Sequence, residues 1–358
     1  MMGGMTRPES VAQLADALRS AAQAHRSIRL GGNFTKDRIG GPVTIADETI
    51  STSALNRLLK YEPRDLTISV EAGMPWQDLE RALAENGQML PLDPPVMLDP
   101  PIGKKNAGER NATVGGVIAA NQSGPLRRLY GSARDMVIGM TFVTLEGQEI
   151  RTGGNVVKNV AGLDMSKLMI GSFGTLAAIA SVNFKVFPIP RASRTFVLEF
   201  ASAAEAFAER DRILRGQMPP AAIDLLNWPS DFRLLIRAMG TPAVVDRFTR
   251  EFAHAKALDG DEQTAAWREV REFTPKFLDA NPAGGVVTIP CSLTEMRDVV
   301  EKFGVPFVAR AGSGVVYAHY AANPPVVSIR DDAEMMKNVK RMFDPENLLN
   351  RGRLHGYI

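Results

Sequence analysis

ATVGGVIAANQSG at 112–124, YGSARDMVIGMTFVTLEGQEIRTGG at 130–154 and VVKNVAGLDMSKLMIGSFGTLAAI at 156–179 lie within residues 111–187. They set three glycine-bearing turns between apolar, β-branched runs. Glycine removes the Cβ that would clash with an approaching ligand and permits positive φ. Successive free N–H groups in such turns form concave anion nests. The apolar runs read as strands that hold the turns still. The stretch therefore predicts a large, flat, phosphate-bearing cofactor lying against backbone.

Upstream, residues 8–24 carry Val11, Leu14, Ala15 and Leu18 at helical spacing, with Pro8 placed for a first turn. The strand-like SIRL at 27–30 runs into Gly31-Gly32, and Thr35 and Lys36 add a hydroxyl and a charge. Strands are expected at 43–46 and 66–71, with a short helix at 53–60 between them. Residues 75–86 read as a helix with Pro75 at its start and Gly87 as its stop. Residues 91–101 hold too many prolines for either regular element, and 101–110 read as an exposed loop. Residues 136–145 and 148–151 form a hairpin around Glu146-Gly147, and Pro188 and Pro190 mark a boundary. Beyond residue 194 short strands alternate with helices at 203–215, 242–256, 261–273 and 293–303. This predicts an antiparallel sheet covered by helices on one side. A last helix at 331–343 precedes FDPENLLNRGRL at 343–354, which returns to the first domain.

Four ordered segments carry a family resemblance: GGNFTKD at 31–37, PRDLTISVEAGMPWQDLERALAENGQMLPLDPP at 63–95, SGPLRRLYGSARDMVIG at 123–139 and GGNVVKNVAGLDMSKLMIGSFGTL at 153–176. Together they resemble the FAD-binding domain of the vanillyl-alcohol oxidase superfamily, and within it the FAD-binding subunit of bacterial glycolate oxidase. The resemblance covers residues 7–190 and the tail. It implies an α+β fold: a PCMH-type FAD-binding domain of two α/β subdomains (1–190), an antiparallel-sheet cap (191–330) and a C-terminal segment (331–358) that returns to the FAD domain.

The same resemblance implies cofactor contacts. At the first loop they are Gly31, Gly32, Asn33, Phe34, Thr35 and Lys36, and in the proline-rich stretch Pro91. Thr113, Val114, Gly115 and Gly116 would line the flavin and its diphosphate, the two glycines letting backbone approach the ring. Asn121, Ser123 and Gly124 follow, then Tyr130, Gly131 and Ser132. Lys158 and Asn159 would sit near the flavin, with Lys158 favouring an anionic reduced ring. Gly174, Thr175 and Ile179 would pass the adenine end. Alternative readings stay open: an ordinary β-turn at 31–34, and helix or turn capping by Asn121 and Ser123.

Several positions depart from the family. Asn33-Phe34 replaces a glycine, and a Phe at positive φ is costly, so a different loop path is expected. Many relatives attach FAD through a histidine where this chain has Asn33, so the FAD is expected to be non-covalent. Leu163 stands where Tyr is common, and Asn350-Arg351-Gly352 where relatives have Asn-Pro-Gly.

Composition narrows the function classes. At 358 residues the chain is long for one core, so two domains are the default. The 42 basic and 40 acidic residues nearly cancel, giving no reason to expect nucleic acid or an anionic membrane surface as partner. The single cysteine, Cys291, excludes an intrachain disulfide and a cysteine-ligated iron–sulfur cluster. No signal peptide is evident, and no apolar run approaches the roughly 20 residues that span a bilayer. The expected location is cytoplasmic, reaching the inner membrane only through partners.

No G-x-G-x-x-G lies between a strand and a helix, and no P-loop is present. His25, His254, His319 and His355 form no close metal-ligating pair, so no metal site is expected. Oxidising a 2-hydroxy acid needs a cation for the carboxylate and a base for the hydroxyl proton. Arg237, Arg310, Tyr317 and His319 are the cap candidates, and no catalytic residue is assigned among them. The leading expectation is an FAD subunit of a glycolate-oxidase-like complex, with a small 2-hydroxy acid as substrate. Its partners would be a sister FAD subunit and an iron–sulfur subunit. The alternatives are a self-sufficient FAD-dependent 2-hydroxy-acid dehydrogenase and a non-catalytic scaffold subunit that keeps the fold.

Overall fold

A computed structural model describes residues 4–96, 111–154, 164–228, 231–325, 333–354 and 356. The chain opens with the helix Val11–Gln23, whose first turn is capped by Ser10 through an N–H of Gln13. Its buried residues, Leu14, Leu18 and Ala21, recur at helical spacing. They cover a three-stranded parallel sheet of Met5–Thr6, Glu48–Ser51 and Ile28–Gly31, with Glu48–Ser51 in the middle. Leu348 and Leu349 of the tail enter the same core.

A five-stranded antiparallel sheet follows in the order Leu58–Glu62, Thr67–Glu71, Ala178–Lys185, Val137–Val143, Glu149–Gly153. Its core takes Trp76, Leu79 and Leu83 from the helix Trp76–Ala84, and Val114, Val117 and Ile118 from the helix Val114–Ala119. These two sheets form the paired subdomains of the first half.

Residues 192–320 build one seven-stranded antiparallel sheet. Its longest pairing sets Ala192–Phe200 against Phe232–Gly240 over nine residues each. Side chains alternate between its faces. Leu234, Ile236 and Ala238 meet the helices Ala203–Arg215, Pro242–Glu251 and Met296–Phe303. Leu235 faces the other way, toward Trp267, Val270 and Phe273 of the helix Gly260–Ala280, and Leu126 of the first half joins that cluster. The helices are therefore on both faces, not one, and the fourth helix lies between the cap sheet and the first half.

Three local expectations are corrected. Residues 53–60 form no helix: a 3-10 turn at Thr52–Ala54 leads to the edge strand Leu58–Glu62. No strand forms at 43–46, because the pairing partner of Ile28–Gly31 is Glu48–Ser51. Gly260–Ala280 continues through buried Pro275; an interior proline costs roughly 3 kcal/mol, and the burial of Phe273 and Leu278 on either side offsets it. Among the described residues no helix is long and apolar enough to cross a membrane.

Candidate cofactor site

The strand Ile28–Gly31 ends at the glycine pair, and the loop that follows turns over the helix Val114–Ala119. A Cβ at Gly32 would fall 2.2 Å from Thr113 Oγ1, so only glycine lets loop and helix meet here. The Ser51 hydroxyl donates to Gly32 O (2.8 Å), and Asn33 Nδ2 donates to Asn111 O (2.8 Å). The amides of Asn33, Phe34, Thr35 and Lys36 have no acceptor among the described residues. A row of unpaired backbone donors is what an anion nest requires.

Phe34 does adopt left-handed backbone, with φ 54°. The ring lies where a Gly31 side chain would be, 2.7 Å from that Cβ position, and beneath the Arg29 guanidinium at 4.3 Å. These contacts offset a backbone strain of about 1–3 kcal/mol.

The loop, the helix and the tail line a cleft of about 900 Å³ of non-protein space, part of it open to solvent. Gly31, Gly32, Asn33, Phe34, Thr35 and Lys36 line it, with Thr113, Gly115, Gly116, Gly174 and Ile179. The helix presents Gly116, Ala119 and Ala120 to the cavity, one face of small residues at i, i+3, i+4. At Gly115 a Cβ would instead meet Ala72 Cβ at 2.8 Å. Gly174 has φ 68°, and a Cβ there would fall 2.8 Å from Asn350 Nδ2.

Among the charged side chains of the wall cations outnumber acids: Arg29, Lys36, Arg351 and Arg353 against Asp37. Arg29 pairs with Asp37, and its buried Nε has no partner among the described residues. Burial pulls the Lys36 ammonium down to about 7, opposed by the charge of Glu272. Its Nζ donates to Pro95 O (2.7 Å), so the residue also ties down the proline-rich stretch. Asn350 bridges two wall segments, accepting from Leu30 N and donating to Leu30 O and Phe173 O. The sequence reading assigned no cofactor contact to Arg29, Phe173, Asn350, Arg351 or Arg353. The signal was the tail motif itself, which predicts a return to the first domain without naming its target.

Other expected contacts lie away from this cavity. Val114 is fully buried in the core. Asn121, at φ 48°, follows the last helical turn, and its N–H donates to Ile118 O. Thr175 is interior and donates to Ser172 O. Gly131 and Ser132 open a helix turn in which the Ser132 amide and hydroxyl both donate to Asp135. Pro91, Ser123 and Gly124 sit at a second location under the cap, where Gly124 N donates to Leu92 O (2.5 Å) and a Cβ at Gly124 would fall 2.2 Å from Asp93 O. Tyr130 stands there too, edge-on to Phe187 at 5.1 Å, its phenol pushed up by burial. Lys158 and Asn159 lie outside the described residues.

The four cap candidates separate. Arg310 is fully enclosed and paired with Asp224, whose carboxyl burial pushes up. Tyr317 lies beneath the Arg310 guanidinium, with ring centroid and Cζ 5.6 Å apart. His319 is a core residue between the edges of Phe273 and Phe277, with Nε2 2.8 Å from Thr274 Oγ1. Arg237 is half-buried over Trp267 and feels the charge of Asp93 and the Tyr130 phenol. It makes no ion pair among the described residues. No group of three or more His, Cys, Asp or Glu there could hold a metal ion.

Burial holds His319 down at about 4. The unfolded chain, with histidine near 6.5, then binds more protons between pH 4 and 6.5, so stability falls on acidification through that window. The His319 share of this loss is roughly 3 kcal/mol. Urea titrations at pH 7 and pH 4.5 should show a smaller difference for His319→Phe than for wild type. An unchanged difference would refute the assignment.

The unpaired amides, the orphan Arg29 Nε and the small-residue helix face fit a dinucleotide diphosphate. Comparison with known proteins agrees. Residues 4–153 match the FAD binding domain family, and residues 329–354 match the C-terminal domain of FAD linked oxidases. Glycolate oxidase subunit GlcE of Escherichia coli K12 is 35% identical over 267 residues, covering 74% of this chain and 69% of GlcE. Glycolate oxidase subunit GlcD of Bacillus subtilis 168 is 33% identical over 177 residues, covering 49% of this chain but 35% of GlcD. In three dimensions an alkyldihydroxyacetonephosphate synthase superposes over 97% of this chain and 75% of its own, with TM-score 0.71 at 19% identity, a likeness of fold. With both FAD-family regions in place and GlcE matched over more than two thirds of its length, the chain belongs to the PCMH-type FAD-linked oxidoreductases, in the family of the glycolate oxidase FAD-binding subunits.

Proposed function

We propose that this chain is the FAD-binding subunit of a glycolate-oxidase-like complex that oxidises a small 2-hydroxy acid, glycolate or D-lactate. The carrying observation is the convergence of loop, helix and tail on one cationic cavity with unpaired amides. FAD, when bound, accepts the two electrons and the hydrogen released from the CH–OH carbon. The amides of Asn33 to Lys36 and the Arg29 side chain hold its diphosphate, and the Gly116–Ala119–Ala120 face leaves room for the dinucleotide. Asn33 offers no nucleophile for a covalent link, so the cofactor is held non-covalently.

Arg237 holds the substrate carboxylate in this reading, because Asp224 already occupies Arg310 and His319 lies in the core. A charge-assisted bidentate contact is worth roughly 1.5–3 kcal/mol. Arg237→Ala should therefore raise KM by about 10- to 100-fold, and Arg237→Lys should raise it less. A wild-type KM in Arg237→Ala would remove this residue from the site.

Electrons leave through an iron–sulfur partner, since Cys291 alone cannot ligate a cluster. The names of the two relatives, both glycolate oxidase subunits, support a multi-subunit assembly. In this reading it holds a sister FAD subunit, lies in the cytoplasm and reaches the membrane only through partners. The test is spectroscopic. Purified protein should be yellow and release FAD on acid treatment, and glycolate or D-lactate should bleach it once the partner subunits are added. Bleaching of the isolated chain would support the self-sufficient dehydrogenase. Colourless protein that takes up no added FAD would leave only a scaffold role.

A further inference from the structure

Two arginine forks meet on the segment that follows the glycine pair. Arg353, from the tail, donates to the carbonyls of Lys36 (2.8 Å), Asp37 (2.9 Å), Ile39 (2.8 Å) and Gly41 (3.2 Å). Arg38 projects the other way, into the cap. Its guanidinium donates to the carbonyls of Leu278, Asn281 (2.9 Å), Pro282 (3.1 Å) and Gly284 (3.0 Å). These are the last turn of the helix Gly260–Ala280 and the bend that follows it.

A helix C-terminus carries orphan carbonyls and a partial negative charge. This helix has no basic residue in its own last turn. Arg38 supplies that cation from the first half of the molecule. A second tie lies nearby: Glu272, on the same helix, accepts from Val96 N (2.9 Å) and raises the affinity of Lys36 for its proton. The segment that carries the unpaired amides is thus fastened to one cap helix, two residues beyond the nest.

We infer that Arg38 is a positioning residue that couples filling of the cofactor loop to the seating of the C-terminal end of the cap helix. The inference rests on the FAD reading above. A ligand that fixes residues 33–36 restricts the backbone that aims Arg38, so the fork stays docked on the four carbonyls. Coupling is reciprocal, so a docked fork in turn tightens the loop around the ligand.

Hydrogen–deuterium exchange with and without FAD tests this, beside titration of FAD into apoprotein. In wild type, FAD should slow exchange of the Asn281 and Gly284 amides, which close the bend. Arg38→Ala should lose that FAD-dependent protection and bind FAD about tenfold more weakly, within the usual span of coupling between sites. Arg38→Lys keeps the charge without the fork and should fall between the two. A merely structural arginine would alter exchange equally with and without FAD. Wild-type Kd in Arg38→Ala, or protection by FAD that survives the substitution, overturns the inference. If near-UV circular dichroism shows Arg38→Ala unfolded, Arg38→Lys decides, and wild-type values in it overturn the inference. A wild-type chain that binds no FAD defeats the functional reading instead.

Discussion

Gly116→Leu should give a folded protein that has lost its flavin. Gly116 is half-buried in a helix and lines the cavity, and a Cβ there meets only Thr113 Oγ1, at 3.2 Å. A few tenths of an ångström relieve that contact. Leucine is the better helix former by about 1 kcal/mol, so apoprotein stability should hold or rise. The rest of the side chain extends into the space proposed for the dinucleotide. Overpacking of a filled site costs roughly 1–3 kcal/mol, here borne by the complex alone, so Kd should rise about 10- to 100-fold. Flavin fluorescence titration checks this, with urea unfolding of the apoprotein as control. Gly115→Leu makes the contrast: its side chain would drive into Ala72, whose carbonyl accepts Gly115 N at 2.7 Å, so the fold should fail first. Undiminished flavin content in Gly116→Leu would mean the cofactor lies elsewhere.

Asp224→Ala should be among the most destabilising single changes in the cap. Asp224 and Arg310 lie on the paired strands Ala222–Leu226 and Phe307–Arg310, and both are buried. Removing one member of a buried pair strands the other charge, at about 3–5 kcal/mol. For a domain of this size that lowers Tm by about 10 °C. Replacing both residues by apolar ones of similar volume should recover most of the loss, because the stranded charge goes with them. Thermal melts of the single and double variants check this. A single variant within about 1 kcal/mol of wild type would show that the pair is not sealed from water.

The sequence made the fold readable where local and global preferences agree. Leu14 and Leu18 face the core from the first helix as their spacing requires, although the helix starts at Val11 behind a Ser10 cap and not at Pro8, and Glu146-Gly147 turns the hairpin between Val137–Val143 and Glu149–Gly153. Legibility failed where a tertiary contact outvotes a local rule. Pro275 reads as a stop, yet aromatic burial carries the helix past it. Phe34 at positive φ reads as costly, yet the missing side chain of Gly31 and the charge of Arg29 give its ring a seat. Leu58 to Lys60 read as helix because an edge strand leaves one face unburied and shows little alternation. The cavity followed the same division. The glycines and the Thr113 turn announce themselves by type and order. The cations do not, because Arg29, Arg351 and Arg353 look like surface arginines until the tail is laid beside the first strand.

Arg353 reaches back more than 300 positions to hold the carbonyls at 36–41. On the ribosome, the first nucleotide-binding loop therefore waits for more than 300 further residues to be translated before this anchor arrives. A pocket able to keep flavin is expected only once Arg353 has emerged, and the nascent subunit must cross that interval with the loop unanchored.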